Sequence, residues 1–245
     1  MYWYLSHICS THLGHIDRIR TFTVAARKRD LMSTGDRAGT SSQKASAFHR
    51  SFHALERLTT HIIAVDAFAI ALHALYVVLA RHGVLPSASS PQAYSTDRLR
   101  YEIRMKPFIP ITLPELVPYE EYQREAALEG DSDVAILDRA SKAIAEARKA
   151  WEAALANGAF IDDPSAPTQP SPSAIEEDWK RDVKNTMRSC IGASLAVEAV
   201  KKAVSTASAE NKPLNLEVIV PEIGSKSRWH DWWVVPQVSE KKSKT

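Results

Sequence analysis

Glycine is scarce, at 8 of 245 residues, and the closest pair is Gly35 and Gly39. Phosphate-cradling loops need tighter glycine spacing, because backbone N–H groups must approach the phosphate without a side chain in the way. Gly-x-Gly-x-x-Gly, the P-loop and the acetyl-CoA loop (Gln/Arg-x-x-Gly-x-Gly/Ala) are therefore all absent. Two cysteines, Cys9 and Cys190, make no disulfide framework and fit a reducing compartment. There is no Gly-x-Ser-x-Gly elbow for a serine hydrolase and no His-Glu-x-x-His for a zinc peptidase. The start, Met1-Tyr-Trp-Tyr-Leu, lacks a basic region ahead of an apolar run and is no signal peptide. It reads as the middle of a helix. A net charge of +2 implies no bulk attraction to nucleic acid or membrane.

What is present points to helices. Residues 1–26 carry Trp3, Leu5, Ile8, Ile16, Ile19, Phe22 and Val24 as a broad apolar stripe. Arg27-Lys28-Arg29, Gly35, Gly39 and a Ser/Thr run to Ser46 predict a basic linker over 27–46. A helical domain over 47–245 follows. Its first helix spans about Gln43 to Arg81 and stops at His82-Gly83.

Within it, residues 62–80 are apolar enough for a membrane span, which leaves a single-span membrane protein as one alternative. Asp66 and His73 oppose that reading, since a central Asp costs roughly 3 kcal/mol on insertion scales. The pattern also continues upstream through Phe48, Phe52, Leu55, Leu58 and Ile62, as in the core helix of a bundle.

Periodicity vanishes over 98–122, where Pro110, Pro114 and Pro118 oppose helix. Phe108, Ile111 and Leu113 are too apolar for a free linker, so this extended segment should lie along a surface, either of this chain or of a partner. Arg100, Tyr101, Glu102 and Arg104 are the expected anchors, and Phe108 the docked residue. The next helix, from Asp133, places Leu137, Ala140, Ile144, Ala147, Trp151 and Ala154 at heptad spacing. A Pro-rich loop over 161–172 follows. The last helix then opens on a capping box of Ser173 and Glu176, with Ile175, Trp179, Val183, Met187, Cys190, Ser194, Val197 and Val204 facing the core. Leu214, Leu216, Val218 and Val220 alternate, and with Trp232-Trp-Val-Val they suggest a small hairpin. The fold class is mainly α: a helical bundle with an extended Pro-rich segment and a small C-terminal hairpin.

Histidine clusters early, eight of nine lying in residues 1–82. His49 and His53 at i, i+4 could share a metal, and Cys9, His12 and His15 could add ligands, but nothing ties the groups together. A stand-alone helical metal or hydrolase domain is thereby the weaker alternative. Asp66 and His73, two turns apart, could form a catalytic pair or separate polar contacts. The stretch 115–138 carries eight acidic residues and one basic residue, whereas 1–40 and 225–245 each carry +3. Such basic ends could dock on an acidic surface such as rRNA, but no motif for specific DNA recognition is present. Arg228-Trp-His-Asp-Trp-Trp-Val-Val-Pro packs Trp229, Trp232 and Trp233 into five residues. It is either a clamp on the core or an interface anchor, since Trp and Arg dominate interface hot spots.

Three stretches resemble the large auxiliary subunit of the NatC N-terminal acetyltransferase complex, the Mak10 family. They are Met1-Tyr-Trp-Tyr-Leu, Arg100-Tyr-Glu-Ile-Arg-Met-Lys-Pro-Phe, and the closing Trp-His-Asp-Trp-Trp-Val-Val-Pro. Members of that family are longer, so the chain would correspond to their C-terminal portion. The resemblance implies a non-catalytic scaffold in the cytoplasm with no cofactor, no metal and no membrane. The implied partners are a GNAT-fold catalytic subunit, which acetylates N-termini beginning Met-hydrophobic, and a small Sm-like subunit, with possible ribosome association. A stand-alone helical interaction domain is the remaining alternative.

Overall fold

A computed structural model describes residues 2–33, 38–85, 93–106, 117–156, 172–210, 213–222 and 228–241. Six α-helices are present among them: α1 (Tyr2–Ser33), α2 (Ala38–Arg81), α3 (Ala93–Met105), α4 (Tyr119–Ala127), α5 (Asp133–Ala156) and α6 (Pro172–Glu210). Two four-residue strands, β1 (Leu216–Ile219) and β2 (Gln237–Glu240), pair antiparallel with Leu216 opposite Glu240 and Ile219 opposite Gln237. A 3-10 turn at Trp229–Trp232 lies between them.

The core is a stack of antiparallel helices. Ser6 against Asp66 and Arg20 against Glu56 set α1 antiparallel to α2. Arg81 against Asp133 and Phe68 against Trp151 do the same for α2 and α5. The α2–α5 pair is the most extensive, and alanines explain why. Ala64, Ala67, Ala71 and Ala74 of α2 and Ala140, Ala143 and Ala147 of α5 are all buried, and small side chains let helix axes approach closely. Phe68, Leu72, Leu75 and Leu79 fill the space beside them. The apolar stretch 62–80 thus serves as the core helix. It is long and apolar enough to cross a membrane, and a little over half of its apolar window is buried inside the fold. The heptad seam of α5 holds at every position expected, from Leu137 to Ala154.

Several boundaries differ from the sequence reading. The basic stretch 27–46 is not a linker: α1 continues to Ser33 and α2 begins at Ala38, and only 34–37 lie outside the described residues. The extended segment 98–122 is helical at both ends, in α3 to Met105 and in α4 from Tyr119. Pro118 stands just before α4, a place where a missing N–H costs nothing. Residues 107–116, with Phe108, Ile111 and Leu113, lie outside the described residues, as does nearly all of the Pro-rich stretch 161–172. Trp232-Trp-Val-Val is not a strand; the second strand is Gln237–Glu240. Ile19, Phe22 and Val24 of α1 and Leu58 of α2 are exposed, not core.

Two helix ends close alike. At α2, Val84 N–H bonds to Leu79 C=O (3.1 Å) and Gly83 N–H to Ala80 C=O (3.0 Å), with Gly83 at φ +64°. This is the glycine-capped Schellman arrangement that His82-Gly83 predicts. At α4 the left-handed position is Leu128, φ +52°, which a glycine would occupy at lower cost. Leu128 packs on the core, and that contact offsets the strain. Arg81 ties the two ends together. Its guanidinium donates to the carbonyls of Ala127, Leu128 and Asp131 and to Asp133 Oδ1, at 2.7–2.9 Å. Burial acts to raise the Asp133 carboxyl, but hydrogen bonds from Arg81 and His82 outweigh it and hold the group below its usual value.

Two histidines of α2 are kept neutral by the core. Burial pushes His61 and His73 down to about 4 each, and the charge of Arg57 adds to the shift at His61. A folded-state pKa below the unfolded value means the unfolded chain binds more protons as pH falls. Stability is therefore complete above about pH 6.5 and declines as pH drops toward 4, by on the order of 3 kcal/mol for each histidine as an upper bound. Asp133 adds a further loss only below its unfolded value near pH 4. Melting temperature across pH 7 to 4.5 should fall, and His73→Gln should flatten that slope. An unchanged slope in the variant would remove His73 as a source.

Candidate partner-binding groove

The first helical turns of α1 place Tyr2, Leu5 and Cys9 on one face at spacings of three and four. Tyr2 and Cys9 are buried, and Leu5 packs against the core. Tyr2 stacks between Tyr76 of α2 and Trp233, with ring centroids 6.0 Å from each. Trp233 continues inward to Phe68 (4.7 Å) and Trp151 (6.4 Å). The backbone beyond it is gripped twice. Val234 N–H donates to Tyr2 Oη at 2.9 Å, and the Val234 carbonyl accepts from Tyr76 Oη at 3.1 Å. Burial raises both tyrosine hydroxyls, so they remain protonated donors across the physiological range.

The 3-10 turn before Trp233 is fixed to α6. Arg228 Nη2 donates to Asp182 Oδ2 at 2.9 Å, and its Nε lies 2.9 Å from Oδ1 as an ion-pair contact. His230 Nδ1 lies 3.1 Å from the same carboxylate. Asp231 accepts the Arg228 backbone N–H at 3.0 Å and closes the turn. These contacts hold successive tryptophans in opposite environments: Trp233 is 8% exposed and Trp232 60%. The Trp229 side chain lies outside the described residues.

Helix α3 reaches the same place. Tyr101 and Met105, at i, i+4, are buried; Arg100, Glu102 and Arg104 are exposed. Tyr101 stacks on Tyr122 of α4 (4.5 Å) and donates its hydroxyl to the Val117 carbonyl. Glu102 accepts from Arg98 at 3.1 Å. Tyr4 of α1 meets Tyr122 (5.4 Å), and the Arg104 guanidinium lies 5.1 Å from the Tyr4 ring centroid. Between α1, α3 and the turn an open groove of about 460 Å³ remains. Tyr2, Tyr4, Leu5, Ile8, Val65 and Trp233 line it, and Arg104 and Trp232 are its exposed members.

All three sequence stretches singled out thus converge at one groove. The expected contact set divides: Arg104 and Trp232 stand at the groove, Arg100 and Glu102 on the exposed side of α3. Tyr101 and Trp233 are buried, with their rings packed on neighbouring aromatics, and Trp233 forms part of the groove wall. Sequence reasoning missed Tyr4, Tyr76 and Tyr122, whose role depends on neighbours distant in the chain. The chemistry weighed for Asp66 and His73 separates: Asp66 accepts from Ser6 at 2.5 Å, whereas His73 lies by the Ala126 backbone. Among the described residues no three His, Cys, Asp or Glu side chains converge as a metal site. The side chains of His49 and His53 lie outside them. Burial pushes both cysteine thiols up to about 12, a protonated and unreactive state at neutral pH.

Helix α6 begins at Pro172, so Ser173 lies inside its first turn and not ahead of it, while Glu176 makes a long-range contact. Glu176 is buried and takes Arg57 in two bonds of 2.7 and 3.0 Å, joining α6 to α2, while Arg57 also lies 3.7 Å over Trp179.

Trp233 should therefore act as a keystone for stability. Trp233→Ala is expected to cost about 3–5 kcal/mol in urea unfolding, whereas Trp232→Ala should cost under about 0.5 kcal/mol. Tyr2→Phe and Tyr76→Phe should each lose about 1 kcal/mol and couple in a double-mutant cycle through Val234. Equal effects at Trp232 and Trp233 would contradict the placement.

The comparisons with known proteins bear on this arrangement. The family model described as "NAA35-like, TPR repeats" matches residues 1–221. No curated protein and no solved structure matches the chain. The matched span includes α1 to α6 and β1, and tetratricopeptide repeats are stacked antiparallel helix pairs, which is how α1–α2 and α5–α6 are arranged. The chain belongs to the NAA35-like family of TPR-repeat proteins.

Proposed function

We propose that this protein is a non-catalytic auxiliary subunit of an N-terminal acetyltransferase complex, of the NatC type. In this reading a separate GNAT-fold subunit binds acetyl-CoA and acetylates N-termini beginning Met-hydrophobic, with a small Sm-like subunit as the third member. The complex works in the cytoplasm, and the basic stretches 1–40 and 225–245 favour ribosome association. The helical chain serves as scaffold.

Family membership supports the auxiliary role. The resemblance of the three sequence stretches to the Mak10 family supports the NatC type. One observation carries the reading: those stretches, more than 200 residues apart at the extremes (Tyr2 to Val234), build one apolar groove with an exposed Trp and an exposed Arg. That combination suits protein contact, where Trp and Arg contribute most.

Co-expression with a candidate GNAT subunit, followed by affinity capture, is the direct test. A stoichiometric complex is expected, and failure to capture that subunit counts against the reading. A second outcome follows from the missing pyrophosphate loop: the isolated chain should show no saturable acetyl-CoA binding by calorimetry. Binding at micromolar affinity would overturn the non-catalytic assignment.

A further inference from the structure

We propose that the groove takes an extended segment of a partner subunit in which a bulky apolar side chain stands beside a carboxylate. The apolar side chain lies against Trp232, Leu5 and Ile8; the carboxylate pairs with Arg104. This rests on the auxiliary-subunit reading and adds the chemistry that the subunit recognises.

Three observations select that occupant. The first is the exposure of Trp232, at 60%, in a turn whose neighbour Trp233 is buried. Arg228, His230 and Asp231 fix the turn, so Trp232 is held outward at little further entropy cost on binding. The second is the charge of the edge. Arg98 is neutralised by Glu102 and lies 3.8 Å from Glu120, but among the described residues Arg104 forms no ion pair. It lies 5.1 Å from the Tyr4 ring centroid, and its charge also acts on the Tyr122 hydroxyl. An aromatic face steadies a guanidinium while leaving its planar donor fork for a carboxylate. Arg104 is thus the cation among the residues that line the groove. The third is size and lining: about 460 Å³ bordered mainly by aromatic and aliphatic side chains accommodates a few apolar side chains and excludes a folded element.

The test uses the full chain and a displayed library of random peptides. Enrichment of Phe, Leu, Ile or Trp beside Asp or Glu is expected. By fluorescence anisotropy, Trp232→Ala should weaken a selected peptide about thirtyfold. Arg104→Glu should weaken it about tenfold or more and shift selection toward basic neighbours, a swap that a purely structural role would not produce. Both residues are exposed, so melting temperatures should stay unchanged. Absence of an acidic–apolar preference, or affinity indifferent to both substitutions, overturns the proposal. So does binding to phosphatidylcholine–phosphatidylserine vesicles that both substitutions abolish, since the groove would then serve a lipid surface. In co-expression, loss of partner capture by the double variant supports the groove as the contact, and undiminished capture overturns it. Failure of the unaltered chain to capture any candidate subunit counts instead against the auxiliary-subunit reading, while the peptide selection still decides the groove.

Discussion

The seat of Trp233 is the contact on which the remaining architecture depends. Its ring meets Tyr2 from α1, Phe68 from α2 and Trp151 from α5, so one side chain from the C-terminal segment touches three helices. Aromatic rings bury large areas and favour offset or edge contacts of this kind. The tyrosine hydroxyls of residues 2 and 76 then satisfy the Val234 backbone, which could not enter an apolar core unpaired without cost. Apolar payload and polar satisfaction arrive from the same two tyrosines.

Charged groups fasten the helices at points where apolar contact alone would not set the register. Arg57–Glu176 joins α2 to α6, Arg81 joins the α2 terminus to the α4–α5 connection, and Arg228–Asp182 joins the 3-10 turn to α6. In each case an arginine fork meets a carboxylate or carbonyls, and in two of the three the carboxylate is nearly fully buried. Breaking such a buried pair leaves an uncompensated charge, so these contacts penalise misaligned packing more than they add to net stability. The groove follows from this. Because the turn is pinned on one side by Asp182 and on the other by Trp233, Trp232 has nowhere to go but outward.

Helices with a clear apolar period were legible without coordinates. Leu137, Ala140, Ile144, Ala147, Trp151 and Ala154 form the seam of α5 as their spacing requires, and Gly83 caps α2 as its place after His82 suggests. The same pattern misled at Ile19, Phe22 and Val24, where α1 is apolar on a face that the described neighbours leave exposed. It misled again at Arg98–Met105, where flanking prolines suggested extended chain. The helix forms because Tyr101 packs on Tyr4 of α1 and Tyr122 of α4 and Met105 is buried one turn on, a stabilisation that no local rule contains.

Residue type and order alone determined the helical class, the lack of phosphate-binding loops and the unusual stretches at 1–5, 100–108 and 229–236. Periodicity and backbone chemistry are local properties, and they are written in any window of the chain. What only the tertiary structure decided is that these stretches meet, that Tyr101 and Trp233 turn inward, and that Arg104 and Trp232 remain at the surface. Burial depends on which distant segment covers a side chain. Adjacent tryptophans of the same chemistry therefore acquire opposite roles, and the difference lies in their neighbours.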